Sequence, residues 1–179
     1  MLKENGAVGA DRPIKNVVGQ GIEAPPSLDE RSPESYLGFY QAERFASPGG
    51  LKQNRKKVYS PPSKLDLNHW GLTGLWNVNA ESAVLSSAPG RIVYRFHSRD
   101  LHLVLAPSRD GRPVRFRVTL DGAAPGNNCG VDSSPDGTGM VREPRLYHLI
   151  RQTNGVVQDR TFEIEFLDPG VQALDFTFG

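Results

Sequence analysis

The sequence predicts an all-β protein, a jelly-roll-like antiparallel β-sandwich preceded by an extended arm and a short helical or turn segment. Three observations predict it. From Leu65 onward, short runs alternate apolar and polar residues, the period of a strand with one buried face. The runs recur at short intervals with Pro, Gly and Asp turns between them, as in two-sheet sandwiches. The 19 glycines and 14 prolines fall almost entirely between the runs and not within them.

Residues 1–31 carry Gly, Pro, Asn and charge without a sustained apolar period, and "GIEAPPSLDERSPES" reads as an extended arm or linker. Residues 32–64 form a docking segment. In "SPESYLGFYQAERFAS", Ser32 suits an N-cap, Pro33 the first helical position and Glu34 the first turn. Gly38 weakens a helix, so a short helix and a turn-rich form both stand, with Tyr36, Leu37, Tyr40 and Phe45 docking on the main body. The basic run Lys52, Arg55, Lys56 and Lys57 before Pro61-Pro62 reads as a solvated loop.

Residues 65–179 are the sandwich, with seven or eight strands. In "RIVYRFH", Ile92, Tyr94 and Phe96 face inward while Arg91, Val93, Arg95 and His97 face out. "LHLVLAP" turns Leu101, Leu103 and Leu105 inward. "PVRFRVTLDG" alternates Val114, Phe116, Val118 and Leu120 with Arg115, Arg117, Thr119 and Asp121. In "RLYHLIRQ", Leu146, His148 and Ile150 alternate with Arg145, Tyr147 and Arg151. "TFEIEFLDPG" buries Phe162, Ile164 and Phe166 against outward Glu163 and Glu165, and "VQALDFTFG" turns Leu174, Phe176 and Phe178 inward.

Composition narrows the function. A formal net charge of +1 gives no bulk attraction to nucleic acid or to an acidic membrane, so no nucleic-acid partner is expected. No apolar run approaches the roughly 20 residues of a membrane helix, so no direct membrane insertion is expected. The first residues, "MLKENGAVGADRP", lack the apolar core of a secretion signal. A protein working outside the cytoplasm would therefore have lost its address, and this chain would be a fragment or mature piece. The single cysteine, Cys129, forms neither an internal disulfide nor a CxxC pair, and no serine sits in a G-x-S-x-G elbow. Catalysis by this chain is not expected, nor is a cofactor.

His69, His97, His102 and His148 lie on different runs without metal-ligand spacing. Asp132 and Asp136 in "VDSSPDGTG" are weak calcium candidates, since the loop is oxygen-rich but lacks an EF-hand's closing glutamate. The outward residues of the strands offer a second possibility. Arg95, His97, Arg115, Arg117 and Glu163 share a polar face whose donor forks and carboxylates suit sugar hydroxyls, although a ladder of cross-strand ion pairs accounts for the same residues. Both tryptophans fall within "LNHWGLTGLWNV". Trp76 shares its parity with Leu72 and Val78 and belongs in the core. Trp70 follows Asn68-His69, a place for a half-exposed ring that stacks on a sugar, provided Gly71 or Gly74 bends the strand between the two.

The strings "LNHWGLTGLWNVNAESAVLSSAPGRIVYRFHSRDLHLVLAP", "RLYHLIRQ" and "DRTFEIEFLDPGVQALDFTFG", with "SPESYLGFYQAERFAS" before them, resemble the C-terminal domain of DipZ-like proteins over residues 32–179. These are membrane-linked thiol–disulfide proteins related to the cytochrome c biogenesis machinery. In them a thioredoxin-like domain of the TlpA or AhpC/TSA type precedes a sandwich resembling carbohydrate-binding modules. The resemblance implies an extracytoplasmic or periplasmic accessory domain whose partners are a carbohydrate, such as a cell-wall glycan, or a thioredoxin-like domain that it positions. The family's CxxC domain lies upstream of the matching region. Where the family more often reads His-Gly-x-Asp, this chain has "CGVD", with Cys129 in place of the histidine.

Overall fold

A computed structural model describes residues 25–153 and 155–179; most of the arm expected over residues 1–31 lies outside the described residues. The strands are β1 (Ser35–Tyr36), β2 (Lys56–Tyr59), β3 (Trp70–Val78), β4 (Ala83–His97) and β5 (Asp100–Ala106). They continue with β6 (Val114–Leu120), β7 (Thr138–Val141), β8 (Arg145–Arg151), β9 (Asp159–Phe166) and β10 (Gln172–Phe178). The one helical element among the described residues is a single 3-10 turn, Gly126–Asn128. None of them forms a helix long and apolar enough to cross a membrane.

All strand pairs are antiparallel, in the order β7-β6-β9-β4-β10-β5-β8, with β3 and then β2 added on β4 and β1 on β10. The fold turns on β4. Its second half, from Gly90 to His97, pairs with β9, while Ala83 and Val84 at its start pair with β10. One strand thus passes from one layer to the other, and the sheet curls until its two halves face each other. Rings meet across the gap: Phe162 of β9 packs edge-on to Phe176 of β10 at 5.9 Å, and Tyr94 of β4 lies 4.8 Å from the same ring. The expected inward residues of β4, β5, β6 and β9 are all buried, which is the hydrophobic driving force for closing the sandwich.

Three local expectations change. The turn-rich form of residues 32–46 is the one that occurs. Ser32 caps no helix; its hydroxyl donates to Asn68 and accepts the His97 backbone N–H. The basic run partly forms edge strand β2, where Lys57 Nζ reaches the Gly50 carbonyl at 2.8 Å. In β8 the parity differs from the sequence pattern: Leu146 is exposed, while Tyr147 and Leu149 are buried along with His148 and Ile150. A bulge in β8 itself, where Leu101 pairs with Ile150 but the next residue, His102, pairs with His148, leaves Leu149 as the extra residue and lets both parities be covered. Beyond β8 its edge is closed by a loop, with Gly130 N–H on the Leu149 carbonyl at 2.8 Å and Asp132 N–H on that of His148 at 3.1 Å.

Candidate functional site

One concavity grows out of the docking segment. β1 pairs with β10 through Ser35↔Phe176 and Tyr36↔Asp175, and the Leu37 N–H extends the pairing to the Leu174 carbonyl at 2.8 Å. Leu37 is fully buried and anchors the segment. At Gly38 the chain runs against the backbone of Ala80 and Glu81 so closely that a Cβ would collide with both. Phe39 and Tyr40 then donate to the Asn79 and Ala80 carbonyls, and a turn closes from Ala42 to Gly38. That turn throws Tyr40 outward, 82% exposed. Tyr40 does not dock, contrary to the expectation from its apolar neighbours.

Two adjoining clefts of about 410 and 380 Å³ result, and they share Tyr36, Tyr40 and Gln41. Gly38, Ala80, Glu81, Leu174 and Asp175 complete the first; Glu34, Ser35, Glu43 and Arg44 complete the second. Both fall within the roughly 300–1,000 Å³ of small-molecule sites. Burial pushes the Asp175 carboxyl above the ordinary range, and repulsion from Glu34 adds to it. The Tyr36 phenol is raised by its hydrogen bond to Glu34 and then by burial. Chemically the clefts combine two tyrosine faces, an amide that donates and accepts, and acceptor carboxylates around them.

A family model, the thioredoxin-like C-terminal domain, matches residues 32–179. The chain belongs to this family. It is thus an accessory domain of thioredoxin-like proteins, and both tyrosines of the cleft lie inside the matched span. No curated protein matches the chain.

Within this thioredoxin-like C-terminal domain, the residues expected to touch a ligand have separate fates. Trp70 is fully buried, its indole N–H on the Glu43 carbonyl at 2.9 Å and its ring 4.8 Å from Phe45. It offers no open face to a sugar, because the docking segment lies over it. Trp76 is a core residue as expected, edge-on to Phe166. Between them β3 changes register around Gly74, whose φ of +99° is a conformation that side-chain-bearing residues rarely adopt.

His97 is also buried, contrary to its outward parity, because residues 25–31 cross over it. Its Nδ1 is 2.6 Å from Asp159, and its Nε2 is 3.2 Å from Asp29 without hydrogen-bond alignment. That imidazole holds the Asp29 carboxyl below its ordinary range. Arg95 faces Asp159 at 3.7 Å. Arg115 grips Asp168 with two guanidinium contacts of 2.8 and 2.9 Å, holding that carboxyl at about 2. Glu163 and Glu165 share Arg91, and Arg117 stands opposite Glu165 in register. The outer face of β6, β9 and β4 is therefore a ladder of opposite charges.

Asp132 accepts both Arg145 nitrogens and the His148 N–H, whereas Asp136 closes its own turn on Thr138. No group of three or more His, Cys, Asp or Glu that could hold a metal occurs among the described residues. Gly130 and Asp132 pin the loop on β8.

Local pattern gave no sign of a second polar cluster. Asp100, 3% exposed, receives Arg99 Nη2 at 2.7 Å, Arg151 Nε at 2.6 Å and lies 3.1 Å from His148 Nε2. Burial alone would raise this carboxyl, but the three hydrogen bonds outweigh it and hold it well below the ordinary range. Its signal was the juxtaposed "RD" of "HSRDLH" and "IRQ", which only the β5–β8 pairing brings together.

Proposed function

We propose that this domain is a non-catalytic accessory module of an extracytoplasmic thiol–disulfide protein, and that the cleft at Tyr36 and Tyr40 binds carbohydrate. One observation carries the reading: an aromatic ring left 82% exposed stands over a cleft rimmed with hydrogen-bonding groups. An exposed tyrosine contributes nothing to the core, and its flat face beside Gln41 and Asp175 suits the C–H face and hydroxyls of a pyranose. Calorimetric titration against a panel of cell-wall oligosaccharides tests it. Binding that Tyr40→Ala abolishes while thermal unfolding stays put supports the cleft; absence of binding across the panel overturns it.

A second reading is favoured by residues 25–31, immediately upstream of the family match. There Arg31 N–H donates to the His97 carbonyl at 2.9 Å, Arg99 Nη1 reaches the Pro25 carbonyl at 2.7 Å, and Asp29 faces the His97 ring. A strap fastened in this way would set the direction from which a preceding thioredoxin-like domain arrives. Co-purification with a separately produced redox domain, weakened by the double change Asp29→Asn and His97→Gln, is the expected outcome under that reading. Disulfide exchange by Cys129 alone would need insulin-reduction activity above background, and none is expected.

A further inference from the structure

His97 meets a carboxylate at each of its ring nitrogens, and the two carboxylates come from different parts of the chain. Asp159 of β9, its register partner, lies 2.6 Å from Nδ1. Asp29, on the segment that crosses over the ring, lies 3.2 Å from Nε2. That nitrogen is buried and makes no hydrogen bond among the described residues, and the His97 side chain is only 7% exposed.

A neutral imidazole carries one N–H and an imidazolium carries two. The 2.6 Å contact with Asp159 needs a proton between nitrogen and oxygen, so the single N–H of the neutral ring belongs on Nδ1. Nε2 then turns a lone pair on the Asp29 carboxylate, a repulsion in a place that water hardly reaches. The imidazolium removes that repulsion and attracts both carboxylates. Two further charges stand behind them: Arg31 pairs with Asp29 at 2.9 Å and Arg95 with Asp159 at 3.7 Å. Both guanidiniums reach into solvent, where screening weakens their hold, whereas the ring touches the carboxylates directly. Asp29 is itself held below its ordinary range, by His97 first, so it is still an anion where histidines change charge.

The other fastenings of residues 25–31 do not titrate in that range. Arg99 Nη1 holds the Pro25 carbonyl at 2.7 Å, Asn68 Nδ2 holds the Arg31 carbonyl at 3.0 Å, and the Arg31 N–H reaches the His97 carbonyl at 2.9 Å. A second histidine, His102, shares a cleft with Pro26 and Glu30, but burial lowers it away from the range concerned. Resting on the reading of residues 25–31 as a strap, we propose that the strap is a pH-operated latch, fastened when His97 carries a proton on both nitrogens and loosened when Nε2 gives its proton up. The fastened strap favours the proton that a loosened strap releases to water. Fastening is therefore complete below the histidine range and is lost as pH rises through it. In a longer chain the same proton sets how firmly the direction of a preceding domain is held.

The test follows the Arg31 amide by NMR hydrogen exchange on the intact chain, at about pH 6 and about pH 8, on either side of the histidine range. Exchange is expressed as a protection factor, which removes the intrinsic effect of pH on the rate. In the parent, protection should fall about tenfold from the lower pH to the higher. Asp29→Asn removes the anion from the strap and leaves the sandwich core whole, and it should flatten the dependence to less than about twofold. His97→Gln should flatten it equally, with circular dichroism and thermal unfolding reporting that the variant is folded. Equal protection at the two pH values in the parent overturns the latch and leaves the strap as a fixed guide. A dependence that survives in Asp29→Asn also overturns it, by assigning the proton to another group. An Arg31 amide unprotected at both pH values overturns the strap reading together with the latch.

Discussion

The outer face of β6, β9 and β4 and the cleft beside β1 are both rich in charge, and they differ in how those charges are arranged. On the sheet face each glutamate reaches an arginine: Glu163 and Glu165 both reach Arg91, and Asp168 holds Arg115 at two points. In the cleft, acids stand beside acids, and burial raises Asp175 where Arg115 lowers Asp168. A surface whose charges are already matched within the chain spends its electrostatics on structure. A surface whose charges repel one another has attraction to offer a ligand. The direction of the carboxyl shifts follows the same division, up for Asp175 and down for Asp168.

The comparison breaks most sharply at Trp70. As a member of the interior it should behave like any large core ring, and Trp70→Ala should cost about 3–5 kcal/mol in denaturant unfolding. A loss below about 1 kcal/mol, accompanied by lost sugar binding, would return Trp70 to the ligand surface. Next in size is Asp100→Ala, which leaves Arg99, Arg151 and His148 facing one another without their common anion. Removing one partner from such a buried network costs about 3 kcal/mol, measurable by the same unfolding experiment. Binding at the cleft should be unchanged, because Asp100 lines neither half of the cleft.

Arg115–Asp168 gives a smaller and pH-dependent effect. The folded pKa of Asp168 lies at about 2, below its ordinary value, so the pair stabilises the fold above the ordinary carboxylate range. That stability is lost as pH falls through about 2, since the carboxyl is then protonated in the folded state as well and no longer holds Arg115 as an anion. Solvent screens the exposed guanidinium, which keeps the contribution small. The difference in unfolding free energy between the parent and Asp168→Asn should therefore be constant near neutrality and vanish between pH ~4 and ~2. A difference that grew on acidification would contradict the assigned pair.

Much of the fold was legible because alternation is a local property. Ile92, Tyr94 and Phe96 read as inward, and they are buried; so do the corresponding residues of β5, β6 and β9. What escaped the pattern depends on segments distant in sequence. Trp70 is covered by Phe45 and capped by the carbonyl of Glu43, and nothing near Trp70 announces that segment. His97 has the parity of a surface residue but lies beneath the strap that carries Asp29 and Arg31. In β8 the alternation itself misled, because a bulge at Leu149 buried both parities. The cleft was half legible. Tyr36 and Tyr40 stood out as aromatic, yet their apolar company suggested docking, and only the close run at Gly38 turns Tyr40 out and brings Glu81 and Asp175 beside it.

The smallest expected effect on stability falls on the residue that matters most for the proposed ligand. Tyr40 is 82% exposed, and neither a ring contact nor a hydrogen bond of its hydroxyl ties it to the described residues. Its backbone N–H on the Ala80 carbonyl is kept by any residue other than proline. Tyr40→Ala should therefore change unfolding free energy by no more than about 0.5 kcal/mol. Tyr40→Phe keeps the stacking face and loses only the hydroxyl, so it separates the ring's role from that of the hydrogen bond. On a cell-wall oligosaccharide that the parent binds, the phenylalanine variant should retain most of the affinity and the alanine variant almost none. If both variants bind as the parent does, the exposed ring is an ordinary surface tyrosine, and the cleft's carboxylates are left without the wall that makes them a site.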